Sequence, residues 1–295
     1  KLEEKADQIF QDEYINIQSV IINHMLLLID KDRNHQICND QLIHNISEIM
    51  FQHKFYNSFE KELLIISNDY YNNCSQKWIP HLVNYLDKVS QLLLEEQKRA
   101  DKYLFKSTYQ KLMDEIFTHL ILKNQDTILN DEQYGFIGLL NKRDFNQLQQ
   151  LFSLNSYYQS GIDKIKNSFS NFIVKKLEKV SITNDKNNDY ILELINQFND
   201  LNNICSKYLL NTPSSIYSKK VVRLETLLNT AFIQKIQTIN HFSKDLAELS
   251  DCYLKNSKKK KTNEEIKDVL KSICKFFTFV DNKDDLKTII SKIDE

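Results

Sequence analysis

The chain is short of the residues that make turns: its 295 residues include three glycines and two prolines. β-Sandwiches and barrels need many tight turns, several with the positive φ that glycine supplies. Dinucleotide- and phosphate-binding folds need glycine-rich loops. Little is left except helices joined by polar loops. An excess of one charge is also missing. Basic residues number 39 and acidic residues 40, without the basic excess or stripe that marks a nucleic-acid partner. No apolar run approaches the roughly 20 residues of a membrane-spanning helix, so no membrane is expected either. The opening KLEEKADQIF has neither a signal peptide nor an initiator methionine, which reads as a segment of something longer. The cysteines (Cys38, Cys74, Cys205, Cys252, Cys274) are odd in number and never at metal-knuckle spacing. Reduced, mostly buried thiols of a cytoplasmic or nuclear protein are expected.

What is present is helical periodicity, and apolar residues at 41% are enough for a sizeable core. Leu82, Tyr85, Leu86, Val89, Leu92, Leu93, Ala100, Tyr103 and Leu104 recur at steps of three and four. So do Ile191, Leu194, Ile195, Phe198, Leu201, Ile204 and Tyr208, and again Ile266, Val269, Leu270, Ile273, Phe276, Phe277 and Val280. The stretch from Tyr85 to Thr108 reads as one long helix. Pro80 suits a helix start. Ser107 to Gln110 and Thr262 to Glu265 read as capping boxes. Asn130-Asp131 and Gly135 interrupt the pattern, and residues 181–188, 212–215 and 257–261 are polar connections. The expectation is an all-α protein of about ten or eleven helices, an elongated, α-solenoid-like rod.

Chemistry is sparse. His24, His35, His44, His53, His81, His119 and His241 are scattered, without H-E-x-x-H or a His–Cys cluster. Glu95 and Glu96 are adjacent, so they point to different sides of a helix, and with Lys98 and Arg99 they read as a solvated, salt-bridged face. Lys258 to Lys261 reads as a solvated loop. The 14 tyrosines and 17 phenylalanines fall on helical stripes and read as core. Trp78 reads as a wedge between helices. No phosphate loop, nucleophile elbow or metal spacing appears. The expectation is a non-catalytic scaffold with no cofactor and no metal.

The pattern Tyr85, Lys88, Glu95, Glu96, Arg99, Tyr103, Leu104, Ser107 and Thr108, uninterrupted, resembles the cullin family. Leu28, Ile29, Asp32, Arg33, Ile37 and Leu42 resemble another cullin helix, with His35 where cullins usually carry glycine. Phe55, Phe59 and Glu60 resemble the aromatic-x-x-x-Phe-Glu motif that follows. Leu246, Ala247, Asp251, Leu254, Glu265, Leu270, Phe277, Phe279, Val280, Lys283 and Asp284 resemble the join between the cullin stalk and C-terminal region, with Leu286 for the usual phenylalanine. The stretch through Leu-Leu-Glu-Glu-Gln-Lys-Arg is most like the cullin of Skp-type adaptor and F-box ligases.

The resemblance implies a stalk of multi-helix repeats. Residues 1–141 would be a second-repeat-like unit, 142–257 a third-repeat-like unit, and 258–295 the start of the C-terminal helical bundle. It implies a scaffold of a cullin-RING E3 ubiquitin ligase. A RING-box protein and a Skp-type adaptor with its substrate receptor would bind outside this segment, and a cullin exchange factor is a further family partner. The competing expectation is a helical-rod tethering subunit, or another α-solenoid interaction protein, with no ubiquitin role.

Overall fold

In the computed structural model, residues 2–180, 189–209, 223–255 and 263–280 are described. Among them there are helices and turns but no strand. The chain divides into two compact units, Lys1–Ile128 and Leu129–Glu295. The expected ten or eleven helices are exceeded: thirteen α-helices form among the described residues.

The first unit holds α1 (Leu2–Arg33), α2 (Asp40–Gln52), α3 (Tyr56–Trp78), α4 (Tyr85–Tyr103) and α5 (Lys106–Ile116). A π-helical turn (Phe117–Ile121) and a 3-10 turn (Leu122–Asn124) lead from α5 into α6 (Gln125–Asn130), where the division falls. The stripes meet in one core: α1 gives Met25 and Ile29, α2 Ile43 and Met50, α3 Phe59, Leu63 and Tyr71, α4 Val89 and Leu93, α5 Leu112 and Ile116. α3 packs on α1, α2 and α5, and α4 on α2 and α5.

Three local expectations are corrected. The stretch from Tyr85 to Thr108 is two helices, because Leu104 (φ −114°, ψ 157°) and Phe105 (φ −79°, ψ 150°) are extended. The Phe105 ring stacks on Phe51 at 4.4 Å and meets Tyr56 edge-on at 4.8 Å, so burial of a ring outweighs helix continuation. Ser107 is no capping residue: α5 starts at Lys106, its N-cap is Phe105, and no side chain caps it. Pro80 does not start α4. A 3-10 turn (Leu82–Asn84) intervenes, and Leu82 is half-buried.

The second unit holds α7 (Phe136–Lys142), α8 (Phe145–Asn155), α9 (Gln159–Glu178), α10 (Asp189–Tyr208), α11 (Glu225–Gln237), α12 (Phe242–Lys255) and α13 (Asn263–Phe277). α9 packs on α7 and α11, and α10 on α8, α11 and α13. Phe198 anchors an aromatic core, with centroids 5.1 Å from Phe232, 5.6 Å from Phe276 and 5.5 Å from Phe279. The Asn130–Gly135 interruption is a tight turn. Asp131 Oδ1 accepts the Gln133 and Tyr134 amides at 2.9 and 2.6 Å. A Cβ on Gly135 would lie 2.4 Å from the Asp131 carbonyl, so only glycine fits there.

Helix ends show what glycine poverty costs. α1 closes with His35 N–H on the Asp32 carbonyl (3.0 Å) and Gln36 N–H on the Lys31 carbonyl (2.9 Å). This is a Schellman motif, which places the residue after the cap in the left-handed region. That residue is His35, at φ 57°. Lys54 (φ 65°) and Arg143 (φ 58°) do the same work after α2 and α7. The expected departure at His35 therefore keeps the turn and adds backbone strain. His35→Gly is expected to stabilise the first unit by about 0.5–1 kcal/mol, the left-handed penalty less glycine's entropy cost. Urea denaturation checks this, and a lowered midpoint would refute it.

The cysteines divide more evenly than expected: Cys74 and Cys205 are buried, Cys38 half-buried, Cys252 and Cys274 exposed, and none is in a disulfide among the described residues. Residues 181–188, 212–215 and 257–261, the N-terminal residue of the second capping box (Thr262), Lys283, Asp284 and Leu286 lie outside the described residues.

Candidate functional site

The pattern residues of the first unit converge inside it. Helical geometry puts Tyr85, Val89, Leu92, Glu96, Arg99 and Tyr103 on one stripe, because they alternate steps of four and three. That stripe faces the core, so Glu96 is 1% and Arg99 5% exposed. The expected solvated face is thereby corrected: Lys98 alone of the four is fully on the surface, and Glu95 is half-buried at the edge.

Arg33, the last residue of α1, is also 5% exposed and meets Glu96 side-on. Its Nε donates to Glu96 Oε1 at 2.9 Å and its Nη2 reaches Glu96 Oε2 at 3.4 Å. Nη2 also donates to Ser67 Oγ (2.8 Å) and Tyr71 Oη (3.1 Å) on α3. The guanidinium carbon lies 4.9 Å from the Tyr70 ring centre, within cation–π range. Arg99 binds Glu96 Oε1 at 3.4 Å, faces Glu95 at 3.5 Å and donates to the Asp32 carbonyl at 3.3 Å. Its Nε approaches the Asp32 carboxylate at 3.3 Å without hydrogen-bond alignment. Tyr103 Oη donates to Asp32 Oδ2 at 2.9 Å.

Burial alone would lower the Arg33 pKa, but the Glu96 carboxylate more than reverses this, so the pKa is raised and the charge is kept. Burial pushes the hydroxyls of Tyr71 and Tyr103 up, with Asp32 adding to the effect at Tyr103, so both remain donors. The result is a buried charge lattice joining α1, α3 and α4.

Two further ties use the remaining pattern residues. Glu60, beside the fully buried Phe59, accepts Thr108 Oγ1 at 2.8 Å and pairs with Lys111 Nζ at 2.6 Å, joining α3 to α5. Tyr56 Oη shares a 2.9 Å hydrogen bond with the same Thr108 hydroxyl. Tyr85 Oη donates to the Leu120 carbonyl at 2.5 Å, and Asn124 Nδ2 donates to Ser75 Oγ at 2.7 Å and to the His119 carbonyl at 2.9 Å. A π-helical turn disturbs the regular backbone ladder, and these side chains satisfy its carbonyls. Tyr85→Phe would leave the buried Leu120 carbonyl with less than it needs. The expected cost is about 1–2 kcal/mol, read as a lower thermal or urea midpoint, and an unchanged midpoint would remove this role. Leu104 marks the α4–α5 corner, and Ser107 is exposed in the first turn of α5.

Sequence spacing missed one group. Ligand atoms of Asp32, Cys38 and Asp40 lie within 4.8 Å of one another, all half-buried. Each is engaged: Asp32 with Tyr103, and Asp40 with the Cys38 thiol (3.0 Å) and Lys102 (2.7 Å). Burial and then the Asp40 hydrogen bond raise the Cys38 pKa to about 11, so the thiol keeps its proton. A metal ion would have to displace Lys102 and that proton. Trp78 is half-buried at the end of α3, with Nζ of Lys88 on α4 5.9 Å from its ring centre. His24 is exposed and bonded to the Val20 carbonyl, whereas His119 is buried, and burial followed by Lys123 lowers its pKa, favouring the neutral ring.

Compared with known families, residues 1–289 match the cullin alpha solenoid domain. The chain belongs to the cullin family. It is 23% identical to cullin-3 of Dictyostelium discoideum over 94% of the chain and 36% of that protein. It is 26% identical to cullin-4 of the same organism over 91% and 32%, and 24% identical to its cullin-1 over 92% and 38%. The chain thus spans about a third of the length of these relatives. The narrow spread of identities assigns the family without favouring one branch of it.

Proposed function

We propose that this cullin chain is a stiff, non-catalytic scaffold segment of a cullin-RING E3 ubiquitin ligase. It would keep an adaptor and substrate-receptor end at a fixed distance from a RING and E2 end. The observation that carries this reading is where the pattern residues are used. Arg33, Glu96, Arg99 and Tyr103 tie α1, α3 and α4 together, and Glu60 with Thr108 ties α3 to α5. Charged and hydroxyl groups that bind one another inside a helical unit fix one packing arrangement. A scaffold needs that, because a stiff spacer sets the effective concentration of one end at the other.

The partners in this reading are a RING-box protein, a Skp-type adaptor with its substrate receptor, and a cullin exchange factor, in the cytoplasm and nucleus. The test is affinity purification of the native full-length protein with mass spectrometry of what accompanies it. A RING subunit, an adaptor and a heavier, modified form of the bait are expected, and the adaptor would identify the branch. Recovery of vesicle-tethering subunits without a RING protein would sink the proposal.

A further inference from the structure

A small pocket opens beside the charge lattice. Arg33, His35, Tyr70, Trp78, Lys88 and Glu95 line most of it, and its volume is about 170 Å³. Its donors and acceptors are unequally used. Glu95 is engaged on both sides, by Gln91 Nε2 at 2.9 Å and by Arg99 at 3.5 Å. Arg33 differs: among the described residues, Nε and Nη2 make all of its hydrogen bonds and Nη1 makes none. Nη1 is not among the sealed, unsatisfied atoms, so it is the edge that this otherwise buried side chain offers to the pocket. Lys88 lies over the Trp78 ring and pairs with no carboxylate among the described residues. The floor and rim therefore present spare cationic donors between two aromatic walls, with their acceptors already taken.

We propose that this pocket receives one acidic side chain, aspartate or glutamate, of a partner protein. A cationic group would meet Arg33 and Lys88. An apolar group would strip water from Arg33 Nη1 and give nothing back. A carboxylate meets both donors with charge-assisted hydrogen bonds, while Tyr70 and Trp78 contact its aliphatic stem. The volume decides between a side chain and a free metabolite, since small-molecule sites span roughly 300–1,000 Å³. The inference is independent of the ligase reading.

The chain contains a single tryptophan, Trp78, so its fluorescence reports on this pocket alone. The experiment titrates the 295-residue chain with the peptide acetyl-Ala-Glu-Ala-amide and with its Gln and Lys counterparts, against sodium chloride of matched ionic strength. The glutamate peptide should give a saturable change with a dissociation constant on the order of 1 mM, and the Gln peptide should bind at least about fivefold more weakly. Lys88→Met should weaken the glutamate peptide by a similar factor at an unchanged melting temperature, and Lys88→Arg should retain it. No saturable change beyond the salt control, an equal response to the Gln peptide, or an unaltered Lys88→Met variant would each overturn the proposal. Tighter binding of free succinate than of the peptide would overturn it as well, by making the pocket a free-anion site.

Discussion

Replacing Glu96 with alanine is expected to cost the first unit about 3–5 kcal/mol, the usual loss when one partner of a buried ion pair is removed. Glu96 is 1% exposed and serves two guanidinium groups, at 2.9 Å from Arg33 and 3.4 Å from Arg99. Without it, Arg33 keeps only the neutral oxygens of Ser67 and Tyr71 in a site that burial makes hostile to charge. Arg99 is less exposed to the change, since Asp32 and Glu95 remain beside it. The loss is a large share of the roughly 5–15 kcal/mol that stabilises a domain. Urea denaturation followed by far-ultraviolet circular dichroism would show it as a lower midpoint. The double variant Arg33→Met with Glu96→Met should be clearly more stable than Glu96→Ala, because it removes the stranded charge and fills the space. A Glu96→Ala protein within about 1 kcal/mol of the native one would mean that water reaches the pair, as at a surface ion pair.

The place of that pair was partly legible. Glu96 and Arg99 continue the four-three alternation of Tyr85, Val89, Leu92 and Tyr103, so periodicity alone puts them on the buried face. Reading charge as a mark of solvent hid this, although Lys98, off the stripe, is indeed exposed. Nothing local could have identified the partner. Arg33 lies 63 residues away at the end of another helix, and Ser67 with Tyr71 come from a third. The all-α class was legible because three glycines cannot turn a β-fold, and the left-handed His35, Lys54 and Arg143 show how the chain manages without more.

The misread boundaries share one cause. Leu104 and Phe105 carry no breaker, yet α4 stops there because Phe105 finds Phe51 and Tyr56. Tertiary burial overrides a local pattern that would have continued the helix. The π-helical turn at Phe117–Ile121 is equally silent in sequence, and its carbonyls depend on Tyr85 and Asn124 from a distance. Where function rests on packing rather than on a reactive group, such long-range ties are the site, and a scan for catalytic motifs passes over them.

If stiffness is the function, loosening the chain between its two units should disable it without unfolding either. The place to test this is after α6, between Asn130 and Asp131, next to the division at Ile128 and Leu129. An insertion there leaves α6 unbroken and keeps Asp131 on the Gln133 and Tyr134 amides. A Gly-Ser linker of six residues has a root-mean-square span of roughly 12–15 Å, ample for one side to wander relative to the other. On the ligase reading proposed above, that wandering would dilute one end of the full-length protein against the other. Ubiquitin transfer to a bound substrate should fall by about tenfold or more, while recovery of the adaptor and RING proteins stays at the native level. A rigid insertion of equal length, which continues α6 with Ala and Glu, should also reduce transfer, by displacing one end instead of loosening it. Native transfer rates from both variants would show that separation and stiffness are irrelevant, and the charge lattice would then be a device for folding alone.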